Sequence, residues 1–353
     1  MTAVEWLDAM SPWPRDGFGV DRMKHLLAVL DNPQDAYPAI HVVGTNGKST
    51  ATITIEQLLL SEGLSVGSTI SPHIAGWSER IRVNGEEVEF EPAVARVRPA
   101  AEVLGATQFE AVTAAALQAF ADAAVDVAVV EAGLGGRLDA TNVLRARVVL
   151  LTNVGLEHTD VLGPTREAIA REKLAVAREE SIVVLPDHTY EHLVSGRDVV
   201  IGGAREAAEA FLGREIEADP HVALPGRLET RAGEIRDGAH NPDGARYLVE
   251  RLPSGDYTLV VSILADKDAG AMLGELRRVG SRLVATRCSS SRALPARELA
   301  DLARERFAHV EAVDDPLQAV ARAHELGEPV LVTGSLYLLG DLVQGERNAS
   351  WRA

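Results

Sequence analysis

Basic charge is in short supply: 35 lysines and arginines stand against 52 aspartates and glutamates in 353 residues, a formal net charge of -17. Nucleic acids and anionic membranes require a basic surface, so neither is an expected partner. A small anionic substrate is still admissible, because a few local cations can hold one. Cysteine is nearly absent, and the lone Cys288 cannot form an intramolecular disulfide, which fits a reducing compartment. No run of 18 apolar residues occurs, so no membrane-spanning helix is expected. The opening MTAVEWLDAMSPWPRD carries acids early and lacks a long apolar centre, unlike a signal peptide. Internal repeats and low-complexity tracts are missing too. A cytoplasmic protein is the expectation.

What is present suits two globular domains. Apolar residues make up 46% of the chain, enough to fill two cores. Short apolar runs alternate with longer helical patterns, the signature of α/β architecture with mainly parallel sheets. Strands are expected at 40–43, 125–130 and 148–152, with helices at 48–61 (stopped by Gly63) and 165–178. The stretch 186–220 is weaker, its one good helix candidate being 204–212. Beyond it, strands are expected at 257–263, 282–286 and 329–333. The junction falls near 217–224, just before Pro225-Gly226-Arg227, giving domains 1–222 and 223–353.

The strongest local signal is Gly44-Thr45-Asn46-Gly47-Lys48-Ser49-Thr50, directly after a strand and directly before a helix. Glycines let the backbone curl so that its amides point inward at phosphate oxygens, and the helix adds its positive amino end. Lys48 would reach the β- and γ-phosphates of ATP, and the Ser49 hydroxyl would reach Mg²⁺. Val42 stands where the first glycine of a complete Walker loop would be, so a glycine-rich turn with a surface lysine is the bland alternative. A phosphate loop also needs an acid for its metal. The apolar strand ending in Glu131, followed by Gly133, Gly135 and Gly136, supplies one, and carboxylate and hydroxyl oxygens suit Mg²⁺. Alone, Glu131 would read equally well as a solvated strand-end acid.

Several segments in order resemble the folylpolyglutamate synthase/dihydrofolate synthase family of the Mur ligase superfamily. They are His41-Val42-Val43 with the loop just described; Ser71-Pro72-His73 with Glu79-Arg80-Ile81-Arg82-Val83-Asn84-Gly85; Phe109-Glu110-Ala111-Val112-Thr113; and the run from Glu131 to Asn142. Thr152-Asn153-Val154-Gly155-Leu156-Glu157-His158-Thr159 and Arg171-Glu172-Lys173 follow. The C-terminal half adds Pro225-Gly226-Arg227-Leu228-Glu229, Asp237-Gly238-Ala239-His240-Asn241-Pro242, Ala265-Asp266-Lys267-Asp268 and Gly334-Ser335-Leu336-Tyr337. The resemblance covers most of the chain outside 186–220.

It implies an N-terminal P-loop-containing Mur-ligase-like ATPase domain and a smaller C-terminal Rossmann-like α/β domain. It also implies an ATP- and Mg²⁺-dependent ligase that joins L-glutamate to a pteroate or folate carboxylate and works as a monomer. Ser71, Glu131 and His158 match metal ligands, Lys173 a lysine often carbamylated, Arg227, Asp237 and His240 groups that close on ATP and the amino acid, and Ser335 a serine near the glutamate site. Read from the residues alone, several have a plainer alternative. His158 could be a structural hydrogen-bonding group, since imidazole is an unusual ligand for Mg²⁺, and Lys173 could sit on a charged helix face. Carbamylation would need that lysine partly buried, with a lowered pKa. Arg227 and Asp237 could be an interdomain ion pair, His240-Asn241-Pro242 a helix start capped by asparagine, and Ser335 a cap.

One departure matters. The family's long β-rich insert is missing, and Gly203-Ala204-Arg205-Glu206-Ala207-Ala208 lacks the glutamine and asparagine of the adenine-holding helix. Adenine recognition is then expected from elsewhere, or nucleotide affinity is weak, which keeps a non-catalytic nucleotide-binding relative as an alternative. A peptidoglycan-type Mur ligase would need a whole domain ahead of Gly44, and a simple P-loop kinase would leave Asp237 and His240 unexplained.

Overall fold

The computed structural model describes residues 1–14, 17–231 and 233–350, with side chains through residue 348. Two compact units divide it, Met1–Val222 and Ala223–Ala353.

The first unit is built on an eight-stranded sheet: β1 Ala39–Val43, β2 Val66–Thr69, β3 Ile81–Val83, β4 Glu86–Glu87, β5 Val127–Glu131, β6 Ala146–Leu151, β7 Ile182–Leu185 and β8 Val199–Ile201. Their order across the sheet is β4-β3-β2-β5-β1-β6-β7-β8. Pairing is parallel from β2 through β8 and antiparallel at β2–β3–β4. β1 lies at the centre, flanked by β5 and β6, and all five of its residues are buried. Both faces of the central strands are covered. Ile40, Val42, Val127 and Val129 pack with Leu58, Leu59 and Phe211 from helices Lys48–Ser61 and Ala204–Leu212. Ala128 and Val130 face Leu117 and Phe120 of helix Gln108–Asp122. By alternation Glu131 shares the face of Val127 and Val129, the one covered by Lys48–Ser61.

The second unit carries a six-stranded sheet: β9 Glu229–Arg231, β10 Glu234–Arg236, β11 Thr258–Val261, β12 Arg282–Ala285, β13 His309–Ala312 and β14 Val330–Thr333, in the order β13-β12-β11-β14-β10-β9. Only β9–β10 is antiparallel. Leu259 and Val261 pack against Leu248, Met272, Leu273 and Leu299 from three helices, making a core of their own.

The expected strands and helices exist, with ends shifted by a few residues. The helix expected to reach 178 stops at Leu174, because Val176 and Ala177 turn inward to the core that leads into β7. The weak stretch holds a 3₁₀ helix, His188–Val194, and the edge strand β8 besides the expected helix. Strands β2, β7 and β13 were not expected, nor the β3–β4 hairpin, whose Asn84 and Gly85 have φ of 53° and 83°. Two successive left-handed residues of this type make the tight turn that joins twisted antiparallel strands.

Candidate active site

The phosphate-loop segment runs from the end of β1 into helix Lys48–Ser61. Gly44 has φ 149°, and a Cβ there would lie 1.9 Å from Thr152 Oγ1, so no other residue fits without displacing the chain after β6. Gly47 (φ 80°) stands at the helix amino end without a side-chain cap. Gly47 thus offers the leading amides of this 14-residue helix no side-chain cap, which suits an anion site. The loop is pinned by the segment after β6. Asn153 O accepts from Thr45 N (3.1 Å), and Asn153 Oδ1 accepts from Asn46 N (2.9 Å). Asn46 O accepts from Thr152 Oγ1 and Asn153 Nδ2, and Thr45 Oγ1 accepts from Gly155 N. Lys48 bends back to donate to Thr45 O (3.3 Å). Ser49 is buried and Thr50 exposed.

Lys173 reaches the same loop from helix Arg166–Leu174. At 1% exposure, its ammonium donates to Gly44 O and Glu157 Oε1, both at 2.8 Å. The charged-face reading of 171–173 is thereby corrected for Lys173, although Arg171 is exposed. Burial pushes the Lys173 pKa down, while Glu157 opposes the shift. Burial alone would raise the Glu157 carboxyl, but Lys173, and then Lys48, bring it below its ordinary value. In the sequence Glu157 stands out only as part of the 152–159 motif, yet its charge sits among Lys173, Lys48 and His158. His158 itself has φ 46° and starts the short helix Thr159–Leu162.

Glu131 is 3% exposed and accepts from Ser71 N at 3.0 Å, so these two candidates are brought together. The loop carrying Ser71 is shaped by Glu79, whose carboxylate accepts from the backbone amides of Ile74 (2.9 Å), Ala75 (2.5 Å) and Gly76 (3.0 Å). Arg80 then donates to His73 Nδ1 and lies over the Trp77 ring. Among the described residues no three His, Cys, Asp or Glu side chains gather as a metal-binding group. The donor set of Glu131 with the Ser49 and Ser71 hydroxyls nevertheless fits Mg²⁺, a hard ion that takes few protein oxygens and keeps waters.

Beneath the loop, His41 Nε2 lies 2.8 Å from Thr141 Oγ1, and Thr141 donates through both its hydroxyl and its amide to Asp139 Oδ1. The hydroxyl proton is thus committed to the carboxylate, so His41 supplies the Nε2 proton. Asp139 Oδ2 accepts from Leu134 N (2.7 Å), which fixes the turn that follows Glu131. Burial, and then Arg178, lowers the His41 pKa to about 3, keeping the ring neutral. The sequence signal was present in the 131–142 run, but nothing in it pointed back to His41.

In the second unit Asp237 follows β10 and accepts from Leu228 N (2.9 Å) and Ala239 N (2.8 Å). Burial raises its pKa, with these amides and Arg227 opposing. Arg227 donates to Gly226 O. Both residues belong to this unit, which corrects the interdomain-pair alternative. His240 Nδ1 is 2.9 Å from Gly238 O and donates to it. Asn241 caps helix Pro242–Arg251 through Gly244 N, as the plainer reading held. Ser335, 1% exposed, accepts from Tyr337 N (3.2 Å) at the start of helix Leu336–Ser350.

The Mur ligase middle domain matches residues 42–219, and the Mur ligase glutamate ligase domain matches 226–336. The dihydrofolate synthase/folylpolyglutamate synthase of Mycobacterium tuberculosis is 31% identical over 85% of this chain and 80% of its own. The chain belongs to the dihydrofolate synthase/folylpolyglutamate synthase family of Mur ligases. Solved members superpose closely. Escherichia coli FolC in complex with DHPP and ADP gives a TM-score of 0.87 at 27% identity, covering 100% of this chain and 99% of that one. The bifunctional family enzyme of Yersinia pestis, complexed with AMPPNP and Mn ion, gives 0.85 at 28%, covering 98% of each. Against the family's adenine-holding pattern, helix Ala204–Leu212 has its polar side chains otherwise engaged. Arg205 donates to Ile216 O and Ala218 O, Glu206 accepts from Gly203 N, and Glu209 accepts from Ile216 N.

Proposed function

We propose that this chain is an ATP-dependent ligase that joins L-glutamate to a folate-type carboxylate through an acyl phosphate. The observation that carries the reading is the loop Gly44–Thr50, whose amides open onto an uncapped helix and whose cations are Lys48 and the buried Lys173. A carboxylate and an amine do not condense in water, because oxide is too poor a leaving group. Transfer of the γ-phosphoryl group onto the substrate carboxylate makes phosphate the leaving group. The glutamate nitrogen then attacks the acyl carbon, the carbon–oxygen bond to phosphate breaks, and the nitrogen gives up a proton. Phosphoryl transfer of this kind is largely a matter of positioning and charge neutralisation.

In this assignment the loop amides and Lys48 hold the phosphates. Glu131, Ser49 and Ser71 would hold Mg²⁺, which would offset charge developing on the transferred group, and His158 is a further candidate ligand. Glu157 keeps Lys173 in place under Gly44, and the lowered pKa of that lysine supports its carbamylation. Arg227, Asp237 and His240 are assigned to ATP and amino-acid contacts, and Ser335 to glutamate. The enzyme is expected to be cytoplasmic and monomeric, with small molecules as its partners. The engaged side chains of helix Ala204–Leu212 favour weak adenine recognition.

The test is a coupled assay for ADP release with glutamate and either dihydropteroate or tetrahydrofolate. Glutamate-dependent release with either acid supports the ligase, and the preferred acid separates dihydrofolate synthesis from tail extension. Uptake of Mg-ATP by calorimetry without turnover on either acid would leave only a nucleotide-binding relative.

A further inference from the structure

We infer that the amino-terminal edge of the first sheet carries a second anion site, distinct from the phosphate loop and suited to a small molecule with several negative charges spaced along a chain. The parallel strands β1, β6, β7 and β8 are neighbours, so the segments that enter them all lie at one edge. Gly44–Thr50 leaves β1 at the opposite edge. A cleft of about 610 Å³ opens among these entering segments, lined by Lys24, Arg145, Arg178 and Arg197. Lys24 precedes β1, Arg145 immediately precedes β6, Arg178 precedes β7, and Arg197 precedes β8. Four cations from four segments thus converge in a chain of net charge -17.

Their charges are poorly compensated. Arg178 Nη2 donates to Asn142 O, Asn142 Oδ1 and Leu144 O, and Arg197 donates to the carbonyls of Arg178 and Ala177. Neutral acceptors fix these guanidinium groups in place and leave each a full positive charge. The Arg145 guanidinium has no hydrogen bond or ion pair among the described residues. Lys24 has only an exposed contact with Asp21 at 3.4 Å, the kind of pair that contributes little and exchanges readily. Glu179 and Glu180 also line the cleft, but they are exposed and pair with none of the four cations. Two fixed cations beside two exposed ones, spread over such a volume, match separated charges better than one compact ion. Linear oligophosphates and γ-linked oligoglutamates share that chemistry. The inference does not depend on the reaction proposed above.

The experiment uses the full chain carrying Lys48→Ala, so that the phosphate loop is weakened as a competing site. Calorimetry with tripolyphosphate in one arm and tetra-γ-glutamate in the other should show one molecule bound per chain, with affinity falling as salt rises. Adding Arg145→Glu should weaken binding at least about tenfold, the scale of one charged contact. Lys24→Glu on a separate helix should do the same, so a folding defect in one variant does not leave the question open. Binding of one probe alone supports the site and identifies its ligand chemistry. Uptake of neither probe at millimolar concentration, or equal affinity in both charge-reversed variants, overturns it.

Discussion

Two segments with corresponding positions in the two units are held in contrasting ways. Gly44–Thr50 leaves the carboxyl end of β1, and Asp237–His240 leaves the carboxyl end of β10, both from parallel-paired strands. The first is fixed from far along the chain, by Thr152, Asn153 and Gly155 across more than a hundred residues. The second combines short-range side-chain grips, Asp237 on amides two and nine residues away and His240 on a carbonyl two residues back, with backbone bonds to the chain at the end of β14, from Asp237 N to Val332 O and from Gly334 N to Ala239 O. A distant side-chain brace shapes the first loop, whereas a local side-chain brace shapes the second, which backbone bonds tie to its sheet.

The widest expected break in this contrast comes from Lys48→Ala. It removes the pre-organised cation of the first loop and should lower kcat by at least ~10²-fold, as for one electrostatic group in a reaction site, with little change in melting temperature. Steady-state kinetics beside a thermal melt would check it, and full activity would remove Lys48 from the chemistry. Acid should act next, and on the first unit. The neutral His41, with a folded pKa of about 3 against 6.5 unfolded, binds fewer protons folded than unfolded throughout that window. The stability tied to it is therefore intact above about pH 6.5 and lost as pH falls, by ~2 kcal/mol near pH 5. In His41→Gln the difference in slope between pH 7 and 5 should shrink, as read by denaturant melts; an unchanged slope would show that another group titrates.

Asn153→Ala tests the distant brace directly. It should weaken Mg-ATP binding by up to about thirtyfold, since the loop loses the partner of one amide and one carbonyl, at ~1 kcal/mol for each hydrogen bond. Calorimetry that finds equal affinity would mean that Thr152, Gly155 and the Asn153 backbone suffice to hold the loop. The smallest effect belongs to the local brace: Asn241→Ala removes the cap of helix Pro242–Arg251 and should cost ~1 kcal/mol of stability. That loss should register in a melt of the second unit's transition and leave Mg-ATP binding by the first unchanged.

The same contrast explains what the sequence discloses. The strand, glycine curl and helix around Lys48 are contiguous, so their order is legible. β11, β12 and β14 are legible as unbroken apolar runs. β2 is less so, because Gly67, Ser68 and Thr69 interrupt its pattern although all are buried. The edge strands β8 and β13 are only partly covered and carry no strong periodicity. Helix Phe90–Leu104 contains Pro99, a residue that argues against a helix interior. Lys173 in a charged triplet gives no hint of burial; only the fold reveals it. Likewise, the pairing of His41 with Thr141 spans 100 residues and leaves no local trace.

The close packing of Thr152 that only a glycine at 44 permits has a consequence for how nucleotide competence arises. Seven residues spell the motif, but Thr152 and Asn153, at the far end of a central strand, give it shape. A nascent chain that stopped short of them would contain every letter of the signature and still lack a cradle. In this molecule the ability to grip a nucleotide should therefore emerge only after residue 153 has been made, once β6 has zipped against β1.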